Sequence, residues 1–186
     1  MTDLPFFAEH CLKIRDKAGR LVPFKMNSMQ LALHGRIEQI IQEDGHLRLV
    51  VLKARQFGIS TYTAARYLHK ALFKEGQRVY ILSHEAKSTL NLFSMVSIMY
   101  TDLPEPFKTG LTRMTKDAMS LTNGSSYTVA TAGARQTGRG QTNQLFHGSE
   151  VAFYEDPEAI TSGAMQTVAD IPETEVILES TANGMG

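Results

Sequence analysis

The sequence has a single cysteine, Cys11, among 186 residues. That excludes an internal disulfide, and Cys11 has no partner at zinc-site spacing, which points to a reduced, cytoplasmic compartment. No apolar run is long enough to span a bilayer, so a transmembrane helix is excluded. The opening residues Met1-Thr2-Asp3-Leu4-Pro5 carry no basic region ahead of an apolar stretch and do not read as a secretory signal. Net charge is absent too: 19 Lys and Arg balance 19 Asp and Glu. Dedicated readers of duplex DNA are usually more basic, so any nucleic-acid contact is expected from a local patch or from parts outside this chain. Internal repeats, low-complexity tracts and like-charge blocks are also missing. What is present is ordinary for one globular domain: 42% hydrophobic residues, 20% charged, and enough chain for a sizeable core.

Short β-branched runs alternate with helical patterns. Strands are expected at Leu47 to Leu52, Arg78 to Leu82, Tyr127 to Thr131, Leu145 to Gly148 and Glu175 to Leu178. Helices are expected from about Ile59 to Phe73, from Ala86 to Tyr100 and from Asp156-Pro157 onward. This alternation implies a parallel sheet covered on both faces. Upstream, Met29, Leu33, Ile37, Ile40 and Ile41 form one helical stripe, introduced by Pro23 and Asn27. Phe6 to Ile14 reads as a further helix, ending before a turn at Lys17-Ala18-Gly19. The stretch from Leu103 to Asn123 holds a hairpin or an irregular excursion.

The most informative segment is Lys53-Ala54-Arg55-Gln56-Phe57-Gly58-Ile59-Ser60, which leaves a strand and opens a helix. The phosphate-binding loop G-x-x-x-x-G-K-[ST] occupies the same strand–loop–helix context. There, backbone amides at a helix N-terminus favour phosphate, a lysine neutralises its charge, and the last hydroxyl can ligate magnesium. Gly58 and Ser60 fit the sixth and eighth positions. Ile59 stands at the usual lysine position and Lys53 at the first glycine, so the cation is relocated by six residues. Arg55 is a second cation for that role. The plainer alternative is a strand edge with solvated basic residues, a glycine turn and a serine helix cap.

Asn143 to Phe153 reads as a strand ending at Ser149-Glu150. Phosphate-loop ATPases end a strand in Asp-Glu, where the Asp holds a magnesium-bound water and the Glu activates the attacking water. Glu150 suits the second task. Ser149 replaces the Asp, and its hydroxyl can bond a metal-bound water without adding charge. The alternative is a solvated loop carboxylate. His147 reads as a packed, hydrogen-bonded strand residue rather than a metal ligand. The last strand runs into Glu179-Ser180-Thr181-Ala182-Asn183-Gly184, hydroxyls and an amide placed where open α/β sheets bind ligands; Asn-Gly is also plain turn chemistry.

Five segments in order resemble the phage terminase large subunit family. They are Gly19 to Phe24 leading to Gln30, Lys53 to Ser60, Val79 to His84, Thr137 to Thr142 ahead of Ser149 to Phe153, and Glu179 to Gly184. The resemblance implies an α/β P-loop NTPase fold of the ASCE/RecA-like type, with a mostly parallel central sheet flanked by helices. It implies a helical segment over residues 1–45 carrying the adenine-reading Gln30, and an ATPase core over 46–186. Lys53, Gln56, Gly58, Ile59, Ser60 and Thr61 would hold ATP. Mg2+ would be held by Ser60 and, through water, by Ser149. Glu150 would activate water, Arg139 or Arg55 would serve as arginine finger, and Ser180, Thr181 and Asn183 would form the coupling motif.

The family also implies DNA packaging, with double-stranded DNA, a portal protein and a small terminase subunit as partners. A homo-oligomeric ring on the procapsid, in the host cytoplasm and without membrane contact, is expected. The nuclease domain of such proteins is not expected within this chain. A helicase-type translocase and a nucleotide-binding module that does not hydrolyse are the alternatives; Ile59 and Ser149 favour the latter.

Overall fold

The computed structural model describes residues 3–133 and 142–183, with backbone alone at 159–161 and 164. A short helix, a hairpin and a long helix precede the main sheet: α1 (Leu4–Cys11), β1 (Lys13–Arg15), β2 (Leu21–Pro23) and α2 (Ser28–Asp44). There follow β3 (Leu47–Leu52), α3 (Ile59–Phe73), β4 (Arg78–Ser83), α4 (Ala86–Thr101), β5 (Leu111–Met114), β6 (Ala118–Leu121) and β7 (Ser126–Thr131). The chain continues through β8 (Leu145–Ser149), α5 (Pro157–Met165) and β9 (Glu175–Ser180).

The seven-stranded sheet has the order β3-β9-β8-β4-β7-β6-β5. Strands β3, β9, β8, β4 and β7 are mutually parallel, whereas at one edge β6 pairs antiparallel with both β7 and β5. Every residue of β8 is buried, as expected for a central parallel strand covered on both faces. Alternation sorts the side chains. Val79, Ile81, Leu145 and Ile177 join a core built with Phe7 of α1, Ile37 of α2, Tyr62 and Leu68 of α3 and Val96 of α4. Tyr80, Leu82, Phe146 and Val176 face the other way, against Tyr154 and Met165. The first 45 residues therefore contribute to the same core as the sheet.

The helix expected through Ile14 ends at Cys11. Leu12 is extended and buried, and Lys13–Arg15 instead pairs with Leu21–Pro23, with Ile14 opposite Val22. The cross-strand ladder satisfies backbone groups that another helical turn would have used. Met29 is 52% exposed and lies outside the buried stripe. At that first turn Gln30 turns inward instead, toward the loop after β3. The segment from Leu103 to Asn123 resolves into the β5–β6 hairpin, which extends the sheet beyond β7.

A buried charge cluster ties α2 and α3 to the start of β9. Arg66 grips Glu175 through Nε at 2.8 Å and Nη2 at 2.7 Å, Lys70 adds a contact of 2.5 Å, and Arg66 Nη1 meets Glu38 at 2.6 Å. Burial pushes the Glu175 carboxyl up, but Arg66 and Lys70 outweigh it and hold the group below the ordinary carboxylate range.

Candidate functional site

The parallel strands β3, β8 and β9 all end on the same edge of the sheet, where the register sets Leu52 beside Ser180 and Ser149 beside Glu179. Open α/β sheets bind ligands outside this carboxyl edge. Between β3 and α3 the loop turns sharply, with φ of 69° at Gln56 and 71° at Gly58. Gly58 is favoured on two counts: its left-handed backbone, and a Cβ there would stand 2.7 Å from Gln30 Nε2 and displace it. The N-terminus of α2 grips this loop. Gln30 Nε2 donates to the Gly58 carbonyl at 2.8 Å, and Asn27 Nδ2 donates to the Phe57 carbonyl at 3.4 Å. Gln30 Oε1 accepts from Asn27 N and closes a capping box, so the Gln30 amide has protein partners on both sides. Tyr62 N takes the Gly58 carbonyl as the first intrahelical bond of α3, and Gly58 offers no side-chain cap. The amides of the first turn of α3 thus have no acceptor within their helix and favour an anion.

Lys53 lies at the front of this loop, its side chain 9% exposed, and its backbone N–H donates to the Ser180 carbonyl. Its ammonium meets Glu150 Oε1 at 2.9 Å and Glu179 Oε2 at 3.3 Å. Burial pulls the Lys53 pKa down, but Glu179 and Glu150 outweigh it and raise it above the ordinary lysine value. Glu150 follows β8 in a left-handed conformation, φ 56°, which ends the strand's alternation. Such a backbone costs a non-glycine residue on the order of 1 kcal/mol or more and is held by its surroundings. Here Glu150 Oε2 accepts from Thr181 N and Thr181 Oγ1, both at 3.1 Å. Burial raises the Glu150 carboxyl, yet the bonds from Lys53 and Thr181 hold it below its ordinary value.

Glu179 is the residue that sequence reasoning left without a role. It is fully buried. Its Oε1 accepts from Ser60 Oγ at 2.5 Å and Ser149 Oγ at 3.1 Å, and lies 3.2 Å from His147 Nε2. Burial pushes the carboxyl up, but the His147 ring, the Ser60 hydroxyl and the Lys53 ammonium outweigh it and hold the pKa at about 2. One signal was available: an acid one residue before Ser180, in a strand whose other members are mostly apolar. Its partners lie 119 residues upstream at Ser60 and 30 upstream at Ser149, beyond any local pattern.

The end of β9 is wired to the turn after β8. Ser180 Oγ accepts from Ala152 N at 3.2 Å, Thr181 holds Glu150, and Asn183 Nδ2 donates to the Ala152 carbonyl at 2.9 Å. Ser180, Thr181 and Asn183 therefore form one bonded unit with Glu150. Other expected residues lie elsewhere. Arg55 is exposed on the loop, and Gln56 is exposed with its Oε1 accepting from Lys17 Nζ at 2.8 Å. Ile59 is buried and Thr61 Oγ1 points to Met95 Sδ at 3.7 Å. Arg139 lies outside the described residues. The hydroxyls of Ser60 and Ser149 with the Glu179 carboxylate make a hard-oxygen donor set. That set suits Mg2+, which commonly takes one or two carboxylates and completes its shell with phosphate oxygens and water.

A mostly parallel sheet flanked by helices, with a strand–loop–helix turn at its carboxyl edge, defines the protein as a doubly wound α/β fold. It is the fold of phage large-terminase ATPase domains. The large terminase of bacteriophage HK97 superposes with a TM-score of 0.72 at 14% identity, over 95% of this chain and 36% of that one. A Thermus phage large-terminase ATPase domain gives 0.62 at 18% identity, over 88% and 67%. The large terminase of a thermophilic bacteriophage gives 0.58 at 10%, over 83% and 39%. The chain thus spans little more than a third of the HK97 protein. No family model and no curated protein sequence matches the chain.

Proposed function

We propose that this chain is the ATP-hydrolysing core of a DNA-packaging motor of the large-terminase type. The observation that carries the reading is the meeting of Lys53, Ser60, Glu150 and Glu179 at the carboxyl edge of the sheet, beside the open first turn of α3. In this reading the α3 amides and the Lys53 ammonium bind the β- and γ-phosphates. Ser60 and, through water, Ser149 hold Mg2+, which offsets phosphate charge when bound. Glu150 positions and deprotonates the attacking water, and in-line displacement at the γ-phosphorus draws its rate from positioning and electrostatics. Lys53 already contacts Glu150, so a phosphate competes with that carboxylate for the same ammonium. Gln30 serves by fixing Gly58; a base edge would reach its amide only in exchange for its two protein bonds. Because Thr181 holds Glu150 and Asn183 holds Ala152, loss of the γ-phosphate is reported along β9. Arg55 or Arg139 supplies the arginine finger.

Double-stranded DNA, a portal protein, a small terminase subunit and further copies of the chain in a ring are the partners of this reading, in a host cytoplasm. No helix among the described residues is long and apolar enough to cross a membrane. The test is ATP turnover with Mg2+, with and without duplex DNA, in the packaging protein carrying this chain. Lys53→Ala and Glu150→Gln are each expected to reduce turnover about 100-fold or more. Unchanged turnover in both would refute the site.

A further inference from the structure

We propose that Glu179 on β9 is the positioning carboxylate of the magnesium site, replacing the charge that Ser149 does not supply from β8. The inference rests on the nucleotide reading above and adds a residue to it. Ser149 and Glu179 are register neighbours, and the Ser149 hydroxyl donates to Glu179 Oε1 at 3.1 Å. A carboxylate moved from one strand to its neighbour therefore serves the same spot at the sheet edge. The Ser60 hydroxyl, the first metal-binding group of the loop, donates to that same oxygen at 2.5 Å. Glu179 thus orients both hydroxyls assigned to the cation.

The second carboxylate oxygen strengthens the case. Oε2 is buried without a hydrogen bond among the described residues and meets the Lys53 ammonium at 3.3 Å. A lysine drawn to phosphate leaves Oε2 without its cation, while Oε1 keeps its bonds from Ser60 and Ser149 and its contact with His147. A buried carboxylate oxygen left without a partner is unfavourable, so the same event that engages Lys53 favours a replacement cation beside Ser60. A purely structural acid would be held by partners that stay in place.

The experiment titrates a fluorescent ATP analogue into the full chain, in EDTA and in Mg2+, and compares how much Mg2+ tightens binding. Loss of an orienting partner typically costs 10- to 100-fold in metal affinity, so E179Q is expected to lose about that much of the gain, while its affinity in EDTA holds or tightens by up to about fivefold as Lys53 is freed of one carboxylate. S149D/E179Q, which returns a carboxylate at the neighbouring position, is expected to regain it. Should E179Q not fold, S149D alone decides: with Glu179 already supplying the charge it adds less than about threefold to the gain, whereas a rise of about tenfold would show the charge was missing. An E179Q protein that keeps its full Mg2+ gain, or weakens equally in both media, overturns the inference and leaves the nucleotide reading standing. Wild-type protein that binds no nucleotide in either medium sinks both.

Discussion

The Lys53 ammonium and the Glu150 carboxylate are 2.9 Å apart across 97 residues of sequence, joining the loop after β3 to the turn after β8. The same ammonium reaches Glu179, so one cation balances two acids at the carboxyl edge. Lys53→Met keeps the side chain's bulk but leaves both carboxylates without their cation. Breaking a buried pair from one side costs about 3–5 kcal/mol. Glu150 is partly solvated, so about 3 kcal/mol is the expected loss in urea unfolding. A change below about 1 kcal/mol, the usual worth of an exposed pair, would mean that water already screens the contact.

The grip of α2 on the loop makes a separate prediction. Gly58→Ala would force a Cβ to 2.7 Å from Gln30 Nε2 at a left-handed backbone position. Gln30→Ala would leave the Gly58 carbonyl without its partner. Stability is expected to fall by about 1–3 kcal/mol in each, and ATP affinity with it. Full ATP affinity in both variants would show that the loop keeps its shape without α2.

Acid should weaken the fold in part through Glu179. Its folded-state pKa, about 2, lies below the ordinary value of 4.5, so its stabilisation is present above pH 4.5 and is lost as pH falls toward 2. The linked free energy is on the order of 3 kcal/mol. Glu150 and Glu175 shift in the same direction and add to the slope. The stability difference between wild type and E179Q is expected to shrink as pH is lowered from 5 to 3 in urea titrations. A difference that is constant across that range would place the Glu179 charge outside the fold's energetics.

The charge cluster at the other end of β9 should matter for folding alone. Arg66→Ala leaves the buried Glu175 to Lys70 alone and is expected to cost about 3 kcal/mol, the lower end for a broken buried pair. Glu175 and Ser180 stand at opposite ends of the strand, roughly 16 Å apart at the usual rise. ATP affinity measured below the variant's unfolding temperature should therefore match wild type. A large drop there would reveal coupling along β9 from its start.

Much of the fold was legible because local patterns and tertiary packing agree. The helix expected at Ile59 to Phe73 forms with those bounds, since Gly58 turns the chain and the residues behind it are buried almost throughout. Ile14 was misread because apolar residues in Phe6 to Ile14 also suit a helix, while its actual partner, Val22, lies beyond a turn. Met29 was misread because periodicity gives the direction of a side chain but not where the core ends. At the site, Lys53, Ser60 and Ser149 stood out through their places in a strand–loop–helix pattern. Glu179 did not, because its role comes from hydroxyls on two other elements that only the sheet register brings to it.

The competition for Lys53 is tested most directly by ATP affinity in Glu150→Gln and Lys53→Ala, measured by calorimetry with Mg2+. Removing the rival carboxylate should tighten ATP binding, by about fivefold for roughly 1 kcal/mol of relieved repulsion. Removing the ammonium should weaken it about 10- to 100-fold, the worth of a charged hydrogen bond. Glu150→Gln weakening ATP as much as Lys53→Ala, or Lys53→Ala binding ATP like wild type, would contradict the account.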